Sequence, residues 1–169
     1  MKIKFETGQR HQDKAIESIV NLFEGQGASS LETDIALTGG NRLIRNELAI
    51  ANNLELTEEQ ILENLRKVQF NNNIEQSTHL MDMNFSVEME TGTGKTYVYI
   101  KTMFELNKQY GWSKFIVVVP SIAIREGVKK TFEMTTEHFM QHYGKKARFF
   151  VYDSKNLNQL DSFASDAGI

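Results

Sequence analysis

The run Met89-Glu90-Thr91-Gly92-Thr93-Gly94-Lys95-Thr96 constrains this 169-residue chain more than any other feature. Glycine at 92 and 94 lets the backbone come close to a polyphosphate with no Cβ in the way. A loop of this kind opens a helix, so its free N–H groups and the helix's positive end both face the anion. Lys95 adds a full positive charge for the β- and γ-phosphates, and the Thr96 hydroxyl is placed to ligate Mg²⁺. The general pattern has glycine six positions before the lysine, where this chain has Met89. The flanks therefore decide whether the run is a phosphate loop or a chance glycine-rich turn.

The flanks favour the loop. Phe85-Ser86-Val87-Glu88 alternates apolar and polar, which predicts a short strand entering it. Tyr97, Val98, Ile100, Met103, Phe104 and Leu106 follow at a spacing that predicts a mostly buried helix, with Gly111 after its end. Phe115-Ile116-Val117-Val118-Val119-Pro120 is a continuous, largely β-branched run, as in a parallel strand covered on both faces. Strand, loop, helix and strand in this order form the context that a nucleotide-binding loop requires.

Elsewhere, residues 2–5 read as an extended entry. A helix is predicted over Gln12–Phe23, with Ala15, Ile16, Ile19, Val20 and Phe23 on one face. Residues 24–40 read as loop and 41–50 as weakly helical. Thr57-Glu58-Glu59-Gln60 is a capping box leading into Ile61, Leu62, Leu65 and Val68, and Asn71-Asn72-Asn73 ends that helix. Residues 24–80 thus read as a mainly helical insertion before the loop's strand. A helix is predicted over Ile122–Phe139, with Ile124, Val128, Phe132, Thr135 and Phe139 on one face. A strand is predicted over Arg148–Tyr152, and Ser154–Ile169 starts helix-like. The fold class expected is α/β: a partial P-loop NTPase domain with a mostly parallel sheet flanked by helices.

Composition adds bounds. Hydrophobic residues make up 40% and charged residues 24%, ordinary for a globular protein, and the net charge of −3 does not advertise nucleic-acid binding. There is no cysteine, which removes disulfides and thiolate metal sites and suits a reducing cytoplasm. No apolar run is long enough to cross a membrane.

With these motifs in place, residues 85–99 closely resemble the first motor motif of type III restriction enzyme Res subunits, members of the superfamily 2 helicase-like ATPases. That superfamily commonly replaces the loop's first glycine, so Met89 agrees with it. Val118-Val119-Pro120-Ser121-Ile122-Ala123-Ile124-Arg125-Glu126-Gly127-Val128 resembles the next motif, which contacts DNA. Tyr152-Asp153-Ser154 with Leu157 and Phe163 is similar as well. Gln12 opens the first helix where such motors place an adenine-reading glutamine. The resemblance covers most of residues 85–165 and, more loosely, 9–24. It implies a RecA-like motor domain that uses ATP and Mg²⁺ on double-stranded DNA in the bacterial cytoplasm. It also implies work beside a methylating, sequence-reading Mod subunit and cleavage by a separate C-terminal nuclease domain.

The residues expected to hold nucleotide are Gln12, Thr91, Gly92, Thr93, Gly94, Lys95 and Thr96, with Lys95 and Thr96 acting on the phosphates and Thr96 on the metal. Gln12 reads equally as an exposed residue at a helix start. Ser121 and Arg125 are the expected contacts to DNA phosphate. Lys129 and Lys130 read as a solvated face, and Lys145, Lys146 and Arg148 as a solubilising cluster. Glu90 is read as facing away from phosphate. His138 and His142 are four apart, but Phe139 stands where a metalloprotease helix has its glutamate, so they read as surface histidines. Trp112 reads as packing.

The acid pair that holds Mg²⁺ and positions water is not found, since none of the aspartates at 13, 34, 82, 153, 161 and 166 precedes a glutamate. The expectation is an N-terminal piece of a motor, with very weak or no hydrolysis on its own. Two other classes fit the loop alone: a small-molecule P-loop phosphotransferase, and a nucleotide-binding piece without turnover.

Overall fold

The structure, a computed structural model, describes residues 8–28, 51–155, 158–166 and 168–169. The entry at 2–5, the helix at 41–50 and Leu157 lie outside these residues. The chain divides into two units, one of residues 1–27 with 54–105 and one of 28–53 with 106–169.

In the first unit, helix α1 (Arg10–Asn21) buries Gln12, Ala15, Ile16 and Val20, a stripe set by the helical period. Helix α2 (Glu58–Asn71) starts at the capping box as its sequence predicts. The Thr57 hydroxyl accepts from the Gln60 N–H at 3.3 Å, and the Gln60 amide oxygen accepts from the Thr57 N–H at 2.9 Å. Asn73 stops the chain in the left-handed region, φ 55°, a conformation asparagine tolerates better than most residues. Asn64 is buried on α2, and its amide donates to Leu22 O at 3.2 Å and Glu24 O at 2.9 Å. Those carbonyls close the end of α1, so one buried amide ties the two helices together.

Helix α3 (Lys95–Tyr110) follows the glycine loop directly. It buries Tyr97, Val98, Ile100, Phe104, Leu106 and Tyr110, more than one stripe, which agrees with a mostly buried helix. Its first eleven residues belong to the first unit and the rest to the second. It ends at Gly111, φ 73°, whose N–H donates to Asn107 O at 3.0 Å.

In the second unit, Asn52 acts as a substitute backbone. Its oxygen accepts from Ser113 N–H at 2.9 Å and Lys114 N–H at 3.0 Å, and its nitrogen donates to Lys114 O at 2.6 Å. Trp112 is buried, and its indole N–H donates to Asn53 O at 2.9 Å, so it packs as expected. Helix α4 (Ile122–Tyr143) runs one turn past its predicted end and stops at Gly144, φ 66°. Helix α5 is Asn158–Ser165. Phe132 of α4 stacks on Phe149 at 4.9 Å between ring centres, and Phe150 meets Phe163 of α5 edge-on at 6.1 Å.

The expected α/β fold with a mostly parallel sheet is corrected by the structure. Among the described residues there are five helices and no strand. The runs at 85–88, 115–119 and 148–152 carry strand-like side chains but form no hydrogen-bonded ladder with one another. Ile116 is 83% exposed and Val118 88% exposed. β-propensity describes how a side chain fits a paired, half-buried surface, so these residues do not make a strand without a partner. The predicted face of α4 is also only partly buried. Thr135 and Phe139 are inside, whereas Ile124 is exposed.

The capping box makes a direct prediction. Thr57→Ala removes the acceptor at the start of α2 and costs about 1 kcal/mol, read as a lower thermal unfolding midpoint, with nucleotide affinity unchanged. A second prediction concerns acid. Asp166 is held below the usual carboxylate range, first by the Gly168 N–H and then by Arg148 and Lys114. A depressed carboxylate stabilises the fold above its unfolded pKa, and that contribution disappears as pH falls through the folded value. Asp166→Asn therefore destabilises the chain at neutral pH and flattens the acid limb of its stability profile in denaturant titrations.

Candidate nucleotide-phosphate site

The glycine loop adopts the conformation its two glycines make possible. Gly92 has φ 83° and Gly94 φ 85°, both in the region other residues avoid. The two glycines serve different purposes. A Cβ on Gly92 would meet open space, so only the backbone angle demands glycine there. A Cβ on Gly94 would stand 2.6 Å from Gln12 Nε2, so the approach of Gln12 demands it as well.

Inside the loop, the Thr93 hydroxyl donates to Glu90 O at 2.7 Å and closes the turn. Lys95 Nζ donates to Met89 O and Glu90 O, each at 2.7 Å, so the ammonium is curled over the loop. Lys95 is also the first residue of α3, and the first closed turn of that helix is Val98 N–H to Gly94 O at 3.0 Å. The N–H groups ahead of Val98 have no partner within the helix, and their dipoles and the Lys95 charge share one end. The residues thus fit a polyphosphate: open glycine backbone, a helix start and a lysine ammonium in one place. The Glu90 side chain is exposed, and it is its carbonyl that shapes the loop.

The loop is held from α1. Gln12 is only 8% exposed, which sets aside its reading as an exposed helix-start residue. Its amide nitrogen donates to Thr93 O at 3.0 Å. His11 Nε2 lies 3.3 Å from the same carbonyl, a contact that nothing in the sequence singles out. Next to Gln12, Asp13 pairs with Lys101 of α3 at 2.8 Å, partly shielded from solvent. Tyr97 is buried on α3, and this burial pushes its phenol above the ordinary range, against the Lys101 charge that lowers it and with the Asp13 charge that raises it.

Gln12, Thr93, Gly94 and Lys95 are thus brought together by contacts within one unit, with Gly92 and Thr96 adjacent in the chain and Thr91 exposed on the loop. Ser121 and Arg125 belong to the second unit. Ser121 caps α4, its hydroxyl oxygen accepting from Ile124 N–H at 3.3 Å. Arg125 sits on the first turn, with its guanidinium 3.1 Å from Glu126 Oε1. His138 and His142 meet edge-on with ring centres 4.5 Å apart. Among the described residues, no three or more His, Cys, Asp or Glu side chains are grouped to hold a metal ion.

The family model for the type III restriction enzyme, res subunit, matches residues 7–164. The chain is 35% identical over 156 residues to the type III restriction-modification enzyme EcoPI Res subunit of Escherichia phage P1, covering 89% of this chain and 15% of that protein. It is 36% identical over 150 residues to the EcoP15I Res subunit of Escherichia coli, covering 86% and 14%. Against the StyLTI Res subunit of Salmonella typhimurium it is 52% identical over 62 residues, or 36% of this chain and 6% of that protein. The chain therefore spans about one-seventh of the length of the EcoPI and EcoP15I subunits.

The unequal glycines can be told apart by experiment. Gly92→Ala adds backbone strain of about 1–2 kcal/mol and weakens ATP binding moderately. Gly94→Ala adds the same strain and also displaces Gln12, so its loss in calorimetric titration is larger. Gln12→Ala in the Gly94→Ala background recovers part of that loss by removing the clash.

Proposed function

Because this chain belongs to the family of type III restriction enzyme Res subunits, we propose that it is the nucleotide-holding N-terminal part of an ATP-dependent DNA motor. One observation carries the reading. Two left-handed glycines place a lysine ammonium, the loop backbone and the start of a helix at one point.

In this reading the loop residues Thr91–Thr96 wrap the phosphates of ATP. Lys95 exchanges its two carbonyl partners for β- and γ-phosphate oxygens, a charge-assisted contact stronger than the one it leaves. Magnesium, when bound, neutralises charge on the phosphates. The chain's part is to hold the Thr96 hydroxyl beside them. Gln12 keeps its nitrogen on Thr93 O and offers its amide oxygen to the adenine amino group, linking recognition of the base to the shape of the loop. Catalysis in such a site is positioning and charge stabilisation.

Ser121 and Arg125 contact a DNA phosphate from the first turn of α4, where Arg125 gives up Glu126 for the stronger anion. The intact protein cleaves DNA in a bacterial restriction system, beside a Mod subunit that reads and methylates the site, in the cytoplasm. Among the described residues, no helix is long and apolar enough to cross a membrane. With no aspartate preceding a glutamate in its sequence, the 169-residue chain binds ATP but turns it over very weakly or not at all.

Lys95→Ala is expected to weaken ATP–Mg²⁺ binding by roughly ten- to a hundredfold, measured by calorimetry. Unchanged binding would refute the loop assignment. Arg125→Ala should weaken duplex DNA binding equally for all sequences and lower its salt slope by about one. ATP hydrolysis by the full-length protein should rise when duplex DNA is added, and indifference to DNA would end the motor reading.

A further inference from the structure

The threonines in the described helices do not all dispose of their hydroxyl protons in the same way. Thr102, Thr131, Thr135 and Thr136 lie inside helices, and each hydroxyl donates to the carbonyl four residues back, at 2.8–2.9 Å. Thr96 stands second in α3, so the residue four back, Gly92, lies outside the helix. The usual destination for a helical threonine's proton is therefore missing at Thr96.

One turn along α3 is Tyr99, on the same side of the helix as Thr96. Its phenol oxygen is buried and has no hydrogen-bond partner among the described residues. A buried polar atom without a partner is uncommon in a folded protein and calls for a specific explanation. The Thr96 hydroxyl is the side-chain group that acts on this phenol. A phenol oxygen has lone pairs with which to accept a hydrogen bond. Each hydroxyl is what the other lacks: Thr96 has a proton to give, and Tyr99 has a buried oxygen with nothing to accept.

We propose that Tyr99 is a positioning residue for Thr96, its phenol oxygen accepting the Thr96 hydroxyl proton so that the Thr96 oxygen presents a lone pair to a divalent cation at the nucleotide phosphates. A hydroxyl that gives a lone pair to a dication becomes a stronger proton donor, so the acceptor matters most when metal is present. Threonine in a helix uses two rotamers about its Cα–Cβ bond, so the direction of the Thr96 hydroxyl is not fixed by the helix alone. Tyr99 touches neither metal nor nucleotide. This inference rests on the nucleotide site proposed above.

The test separates metal from nucleotide. ATP affinity of the 169-residue chain is measured by calorimetry in EDTA, and the Mg²⁺ concentration giving half of the metal-dependent gain is then titrated at fixed ATP. Tyr99→Phe should leave the EDTA affinity and the thermal midpoint in place while raising the Mg²⁺ requirement about three- to tenfold. Thr96→Val should raise it at least as far, and adding Tyr99→Phe to Thr96→Val should change nothing more. Thr96→Ser, which keeps the hydroxyl, should retain sensitivity to Tyr99→Phe. An unchanged Mg²⁺ requirement in Tyr99→Phe, or additive effects in the double variant, would overturn the role of Tyr99 and leave the nucleotide site standing. Loss of EDTA affinity in Tyr99→Phe would make the phenol structural and overturn it too. Absence of any ATP binding by the wild-type chain would overturn both readings.

Discussion

The glycine loop at 89–96 is braced by a hydrogen bond reaching across 81 residues of sequence, from the Gln12 amide to the Thr93 carbonyl. A buried amide costs free energy unless its groups are satisfied, and this one is satisfied by a loop carbonyl. The contact requires glycine at 94, because any side chain there would occupy the place of the Gln12 nitrogen. Removing the partner strands a buried donor, and removing the glycine displaces it. The loop, its second glycine and the start of α1 therefore form one unit of structure. The Asp13–Lys101 pair holds α1 to α3 from the residue next to Gln12, at 2.8 Å and partly shielded from water.

Beneath this brace, the first unit manages its remaining polar groups in the same way. Asn64 joins α2 to the carbonyls that close α1, and the capping box uses one threonine and one glutamine to satisfy two free N–H groups. The second unit repeats the device with Asn52, whose single amide serves three backbone groups around Lys114. Tyr99 departs from this rule, with a buried oxygen that has no partner among the described residues. That departure stands one helical turn from Thr96, the residue after the loop lysine.

Much of the site was legible along the chain because its signals are local. Two glycines, a lysine and a threonine within five residues imply a turn that opens a helix, and the helix follows. Thr57 and Gln60 announced α2, and Gly111 and Gly144 mark helix ends. The apolar runs at 85–88, 115–119 and 148–152 misled because a strand belongs to a pair of segments. Apolar alternation identifies side chains suited to a sheet but does not supply the neighbouring backbone. The exposed Ile116 and Val118 show the difference. The apolar spacing of α4 likewise foresaw a helix but overstated its buried face, since burial depends on what packs against each residue.

The sequence by itself determined that a loop with two glycines opens a helix at Lys95, roughly where the described helices lie, and which family the chain resembles. These follow from backbone conformation and short-range hydrogen bonding, which neighbouring residues settle among themselves. Only the tertiary structure decided which of the two glycines must also make room for a side chain, that Gln12 is buried against Thr93, and that His11 reaches the same carbonyl. It also decided that the Tyr99 phenol lacks a partner and that the predicted strands are not paired. Each depends on atoms far apart in the chain meeting or failing to meet, and residue spacing does not record that.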